Sequence, residues 1–204
     1  MWNLERSHNG TVFNLVDLNS NKSDELVSSA SFNGFGSSCV FLYTTSKGMI
    51  NICDFREKSN FTNRPSQQLS TALANKGQND QYNRLLDYVS SALFLNDANQ
   101  VVSRDYLSVK LWDLRSSANY KPLFSAQVTD YMEKNLSTLY EQDSLDDEFF
   151  LDVSPDGKHM VTGGYNKSAH IIDMSATSNT VVQCKFSEKR GSNAGKLKVY
   201  NNQK

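Results

Sequence analysis

Apolar residues recur along this chain with period two, in short runs separated by Ser, Asn, Asp and Gly. The clearest run is Ser108-Val109-Lys110-Leu111-Trp112-Asp113, which follows the polar turn Arg104-Asp105-Tyr106-Leu107 and ends on Leu114-Arg115. Alternation of this kind, rich in β-branched and aromatic residues, predicts strands. Met49-Ile50-Asn51-Ile52-Cys53-Asp54-Phe55-Arg56 is a second copy, and Ser168-Ala169-His170-Ile171-Ile172-Asp173-Met174 a third. Met1-Trp2-Asn3-Leu4 matches the end of a fourth. The equivalent positions Asn3, Asp54, Asp113 and Asp173 lie 51, 59 and 60 residues apart.

The other strands keep a constant order within each unit. A first apolar strand is predicted at Ser29–Phe32, Ser91–Phe94 and Phe149–Val153, and a second at Val40–Tyr43, Gln100–Ser103 and His159–Thr162. Between first and second strands lies a turn, clearest at Ser154-Pro155-Asp156-Gly157, where proline presets φ and glycine accepts the left-handed position. The recurring run is the third strand. An outer fourth strand is predicted at Val12–Val16 and at Leu123–Val128.

Four-stranded units repeating at this spacing predict an all-β propeller of the WD-repeat type, each unit carrying an insertion of about 10–15 residues beyond the usual 40–45. The blades are read as roughly 1–57, 82–128 and 129–186, the propeller part as 1–175. A polar loop is expected over 57–81, a short amphipathic helix over 129–141, where Met132, Leu136, Leu139 and Tyr140 fall at helical spacing, and a flexible tail over 187–204. About three blades and a leading strand do not close a ring. The expectation is therefore an incomplete propeller, either a fragment or a truncated product.

Bulk properties narrow the function. With 204 residues and a net charge of -1, the chain lacks the basic surplus of a nucleic-acid binder. No run is long and apolar enough to span a membrane, and the N-terminus has no basic region followed by an apolar core. Cys39, Cys53 and Cys184 are scattered, and with His8, His159 and His170 they show no metal-ligand spacing, so neither metal nor cofactor is expected. The Asn-x-Ser/Thr triplets at Asn9, Asn21, Asn60, Asn135 and Asn166 are read as chance in an Asn/Ser-rich chain. No Ser/His/Asp order, phosphate-binding glycine loop or calcium-loop pattern appears, and no enzymatic activity is expected.

The segment Ser103-Arg104-Asp105-Tyr106-Leu107-Ser108-Val109-Lys110-Leu111-Trp112-Asp113-Leu114 closely resembles the B-family WD-repeat regulatory subunit of protein phosphatase 2A. Ser46–Asp54, Leu139-Tyr140-Glu141-Gln142-Asp143 and Gly164-Tyr165-Asn166 resemble other segments of that family in the same order. The resemblance covers roughly residues 1–175 and corresponds to the central-to-late blades. It implies a non-catalytic regulatory subunit, or a fragment of one, that joins a scaffold and a Ser/Thr phosphatase catalytic subunit. Such a subunit recruits phosphoprotein substrates across one propeller face, in the cytosol and also the nucleus. The family's early blades, with the arm that grips the scaffold and part of the acidic groove, have no counterpart here. A generic WD-repeat interaction scaffold, or a truncated product without autonomous function, remains the alternative.

The candidate binding face collects the turns between second and third strands and the connections into each first strand. It comprises Asp24, Glu25 and Leu26, then Lys47, Arg104, Asp105 and Tyr106, then Asp143 and Asp147 of the acidic run Asp143–Glu148, then Tyr165 and Asn166. Carboxylates mixed with aromatic and apolar side chains suit basic peptide segments. Leu26 resembles a groove position of the family. Each residue also has a structural reading. Asp105 lies seven residues before Trp112, close to the spacing of a buried hydrogen-bond network, Trp112 and Trp2 read as core, and the acidic run reads equally as a solvated loop.

Overall fold

A computed structural model describes residues 25–35, 39–54, 56, 65–71, 87–95, 99–116, 121–128, 138, 148–165, 168–174, 181–186 and 197–201. The described strands form three antiparallel sheets, each built from strands consecutive in sequence. The first holds β1 (Val27–Phe32), β2 (Val40–Thr45), β3 (Met49–Asp54) and β4 (Gln67–Ser70). The second holds β5 (Val89–Phe94), β6 (Gln100–Asp105), β7 (Ser108–Asp113) and β8 (Phe124–Gln127). The third holds β9 (Leu151–Val153), β10 (His159–Gly164), β11 (Ser168–Asp173), β12 (Val181–Phe186) and β13 (Leu197–Asn201). These are the blades of an incomplete WD-repeat propeller.

Register decides what each blade buries. Val101 pairs with Trp112 and Ser103 with Lys110, so these four share one face of the second sheet. Val102 pairs with Leu111 and Arg104 with Val109, on the opposite face. The first face packs on the first sheet: Leu42, Ile50, Ile52 and Leu69 meet Val89, Ala92, Phe94, Val101 and Trp112. The second packs on the third sheet, where Val102, Val109, Leu111 and Ala126 meet Leu151, Met160 and Ile172. The second sheet is thus covered on both sides, and its inner strands β5, β6 and β7 contain no exposed residue, whereas the outer strand β8 exposes Ser125 and Gln127. The far faces are less covered: Val161 and Ile171 of the third sheet are 43% and 38% exposed.

Polar side chains complete the blades where backbone pairing stops. The Trp112 indole donates to the Ser103 hydroxyl at 2.8 Å, which removes the cost of burying the ring nitrogen. Asp54 and Asp113, the repeated acid that ends each third strand, accept from the backbone N–H two residues on and from the guanidinium of Arg56 or Arg115. Those bonds hold both carboxyls below the usual carboxylate range. The apolar-basic step after each Asp is therefore a local clasp. Gly157, at φ 70°, closes the Ser154 turn through a 2.8 Å bond from its N–H to the Ser154 carbonyl.

Two strands fall where the composition suggested loop or tail. β4 lies inside 57–81: Leu69 supplies one apolar side chain to the inter-sheet core, and pairing with β3 satisfies the backbone. β13 lies inside 187–204 and pairs with β12 from Val182↔Asn201 to Phe186↔Leu197. Both are short edge strands; the polar composition of β4, with Leu69 its one apolar residue, concealed it, while Leu197-Lys198-Val199-Tyr200 of β13 follows the Gly/Ser/Asn segment that suggested a tail. The strand expected at Val12–Val16, Trp2 and nearly all of the helix expected over 129–141 lie outside the described residues. Among the described residues no helix is long and apolar enough to cross a membrane.

Leu69→Ala is expected to cost about 2–5 kcal/mol in urea unfolding, as for other buried leucines. Gln68→Ala, on the opposite face of β4, should cost less than about 1 kcal/mol; equal effects would return 67–70 to loop status. A pH effect follows from Tyr43, whose phenol is pushed up to about 12, mainly by burial and further by Cys53 and Glu25. The unfolded phenol titrates near 10, so this contribution is complete below pH 10 and is lost as pH rises toward 12. Tyr43→Phe should flatten that alkaline loss of stability, measured as denaturation midpoint against pH.

Candidate functional site

The connections into β1, β5 and β9 and the turns β2–β3, β6–β7 and β10–β11 lie at one end of the three sheets, linked by hydrogen bonds between neighbouring blades. The Ser28 hydroxyl of β1 donates to the Val89 carbonyl of β5. The Ser90 hydroxyl of β5 donates to the Phe149 carbonyl, just ahead of β9, at 2.7 Å. Both serines follow a valine in near-identical stretches, Val27-Ser28-Ser29-Ala30 and Val89-Ser90-Ser91-Ala92, and both strands carry a register shift there. That repeat was the available signal for these inter-blade ties. Its small polar residues do not stand out in a hydrophobicity pattern.

The turns are closed by different chemistry. In β2–β3, Gly48 adopts φ 76° and its N–H reaches the Thr45 carbonyl at 3.1 Å. The β6–β7 turn has no glycine. Instead the Asp105 carboxylate accepts from the N–H groups of Leu107 and Ser108, at 3.1 and 2.7 Å, and from the Ser108 hydroxyl at 2.9 Å. The Lys110 ammonium also bonds to Asp105 and reaches the Ser108 hydroxyl at 2.7 Å. Asp105 and Lys110 are both buried, so this is a satisfied internal ion pair. Asp105 therefore faces inward and is fully engaged within its own turn. Its partners are Ser108 and Lys110, whereas Trp112 bonds separately to Ser103.

The other candidates divide by exposure. Leu26 is 68% exposed and Lys47 is exposed, while Glu25 is half-buried. Leu26 is held in place by reciprocal bonds with Ser46, at 3.0 and 2.9 Å, which bring it beside the Lys47 turn. Tyr106 and Tyr165 are half-buried, and their hydroxyls meet at 3.3 Å across the boundary between the second and third sheets. Arg104, expected on the open face, is only 1% exposed. Period-two alternation turns it away from Asp105, toward the third sheet. Asp24, Asp143, Asp147 and Asn166 lie outside the described residues.

Sequence reasoning placed Glu148 on this face only as the end of the acidic run and Phe149 only in a strand, and it passed over Tyr88. Tyr88 donates its hydroxyl to the exposed Glu148 carboxylate, and burial together with that bond holds its phenol well above the usual range. Phe149 packs edge-on against Tyr165, with ring centroids 4.9 Å apart. The closeness of its ring also explains Gly163, where a Cβ would come within 3.0 Å of Phe149. Among the described residues no three His, Cys, Asp or Glu side chains gather as a metal site. The arrangement is a row of aromatic, aliphatic and charged side chains on rigid turns, suited to contact with a protein segment and carrying no assembled nucleophile or base among the described residues.

No family model matches the chain. It is similar to curated relatives, however. It is 30% identical over 187 residues to the serine/threonine-protein phosphatase 2A regulatory subunit phr2AB of Dictyostelium discoideum, covering 90% of this chain and 37% of that protein. It is 31% identical to the phosphatase 2A regulatory subunit sur-6 of Caenorhabditis elegans, covering 81% of this chain and 33% of the relative. It is 33% identical to the B beta isoform of the phosphatase 2A 55 kDa regulatory subunit of Oryza sativa, covering 81% of this chain and 31% of the relative. The chain thus spans about a third of the length of these relatives.

Removing Asp105 should test whether the turn is structural. Asp105→Ala strands Lys110 and two turn N–H groups, and is expected to cost about 3–5 kcal/mol in equilibrium unfolding. Lys110→Met should cost less, because the carboxylate keeps three donors. The double variant should be more stable than the sum of the two losses predicts.

Proposed function

Over the third of their length that it spans, the chain belongs to the family of 55 kDa regulatory subunits of protein phosphatase 2A, and we propose from that premise that it acts as a non-catalytic part of such a holoenzyme. In this reading it recruits phosphoprotein substrates to the catalytic subunit, working in the cytosol and the nucleus. The observation that carries the proposal is the 30–31% identity over 81–90% of the chain. The geometry supports it. Leu26, Lys47, Tyr106, Tyr165 and Glu148 are presented at one end of rigid sheets, where backbone ordering is complete before a partner arrives.

The direct test is retention. The full chain, immobilised and exposed to an extract of its own cells, is expected to hold the phosphatase scaffold and catalytic subunits together with phosphoproteins. Tyr106→Ala should weaken phosphoprotein retention at least tenfold, about 1.4 kcal/mol, without changing the thermal midpoint by more than a few degrees. Recovery of some other stable complex with no phosphatase subunit would instead make the chain a general WD-repeat scaffold.

A further inference from the structure

Among the described residues, Arg104 is the buried charge of the site that its own fold leaves unanswered. Its Nε, Nη1 and Nη2 atoms are all buried and have no hydrogen-bond partner there. Burial pushes its guanidinium down to about 10, with Asp105, Tyr106 and Tyr165 opposing the shift. At neutral pH it is therefore still a cation. The nearest acid in sequence, Asp105, is on the other face of the strand and already takes four donors. Glu148, the other carboxylate on the cavity, is bonded to Tyr88. A buried guanidinium with five N–H donors and no acceptor is costly, and native interiors seldom leave one so.

The side chain borders a cavity of about 20 Å³ shared with Tyr88, Ser90, Asp105, Tyr106, Glu148 and Phe149. That space admits roughly one water-sized atom. The cavity lies at the binding end of the sheets, under the half-buried Tyr88 and Tyr106 and the exposed Glu148. It is lined by the guanidinium, by aromatic surface and by two acidic residues that already hold other donors, Asp105 in its own turn and Glu148 at the exposed edge.

We propose that Arg104 is an anion-binding position that receives a single carboxylate oxygen from an acidic side chain of a docked protein. The guanidinium suits an oxyanion, and the flat head of a carboxylate can pass one oxygen into so small a space more readily than the wider tetrahedral head of a phosphate. The site complements the acidic residues beside it. A bound segment would place basic groups near Glu25 and Glu148 and one acid over Arg104, which fixes its register as well as its charge. The proposal rests on reading this end as a docking face, but its test does not involve the phosphatase.

The probe is acetate, titrated into the full chain labelled with ¹⁵N at arginine, with ionic strength held constant by a bulky sulfonate. One Arg Nε–H resonance, absent in Arg104→Met, is expected to shift saturably with acetate. Inorganic phosphate should move it at least tenfold less at equal concentration. If Arg104→Met does not fold, Arg104→Lys supplies the assignment. An Arg104 resonance unmoved by acetate, or moved equally by phosphate, would overturn the proposal. Failure to retain phosphatase subunits would leave the acetate result standing, so the two readings fall separately.

Discussion

The middle sheet is buried on both faces, and the rest of the structure depends on that constraint. A sheet packed on one side can place its polar residues in water by simple alternation. β6 and β7 have no such outlet. Val101 and Trp112 must fill the space against the first sheet while Val102 and Leu111 fill the space against the third. Any polar residue on these strands other than Gln100 and Asp113 at their ends is therefore buried, and has to find its partners inside the protein.

The polar residues meet this demand unequally. Ser103 takes the Trp112 indole, and Asp105 takes the β6–β7 turn, Ser108 and Lys110 together. This network replaces the left-handed glycine that closes the β2–β3 turn at Gly48. Arg104, one residue from Asp105, faces the opposite way and is left without an acceptor among the described residues. Two adjacent residues of one motif thus have different surroundings: Asp105 is bonded into the turn, while Arg104 is a buried charge beneath the turn end of the sheets.

The sheets are also joined along their inner strands. Ser28 and Ser90 each donate to the carbonyl of the next blade's entry segment. These ties fix the heights of the connecting segments, and so bring Leu26, Tyr88 and Glu148 to one end beside the turns. Tyr106 and Tyr165 then bridge two blades through their hydroxyls. A partner at this end would meet several elements whose relative positions are set by the core beneath.

The all-β architecture, the order of strands within each blade and the identity of the repeats were legible in the sequence, since period-two alternation and the recurring Asp are local properties. The phrase around Arg104–Leu114 also pointed to the phosphatase regulatory subunits. β4 was not legible, because an edge strand needs little apolar surface and is defined by the backbone it pairs with; β13 was overshadowed by the Gly/Ser/Asn segment that precedes it. Nor could the sequence separate Arg104, Asp105 and Tyr106 by role. Their neighbours in space come from β7, from Phe149 and from Tyr165, up to 61 positions away in the chain. Local pattern determined that these residues form a strand end and a turn. Only the packing of three sheets decided that Asp105 would be satisfied, Arg104 buried without an acceptor among the described residues and Tyr106 left half in solvent, because burial and hydrogen-bond partners belong to the assembled interface and not to the strand.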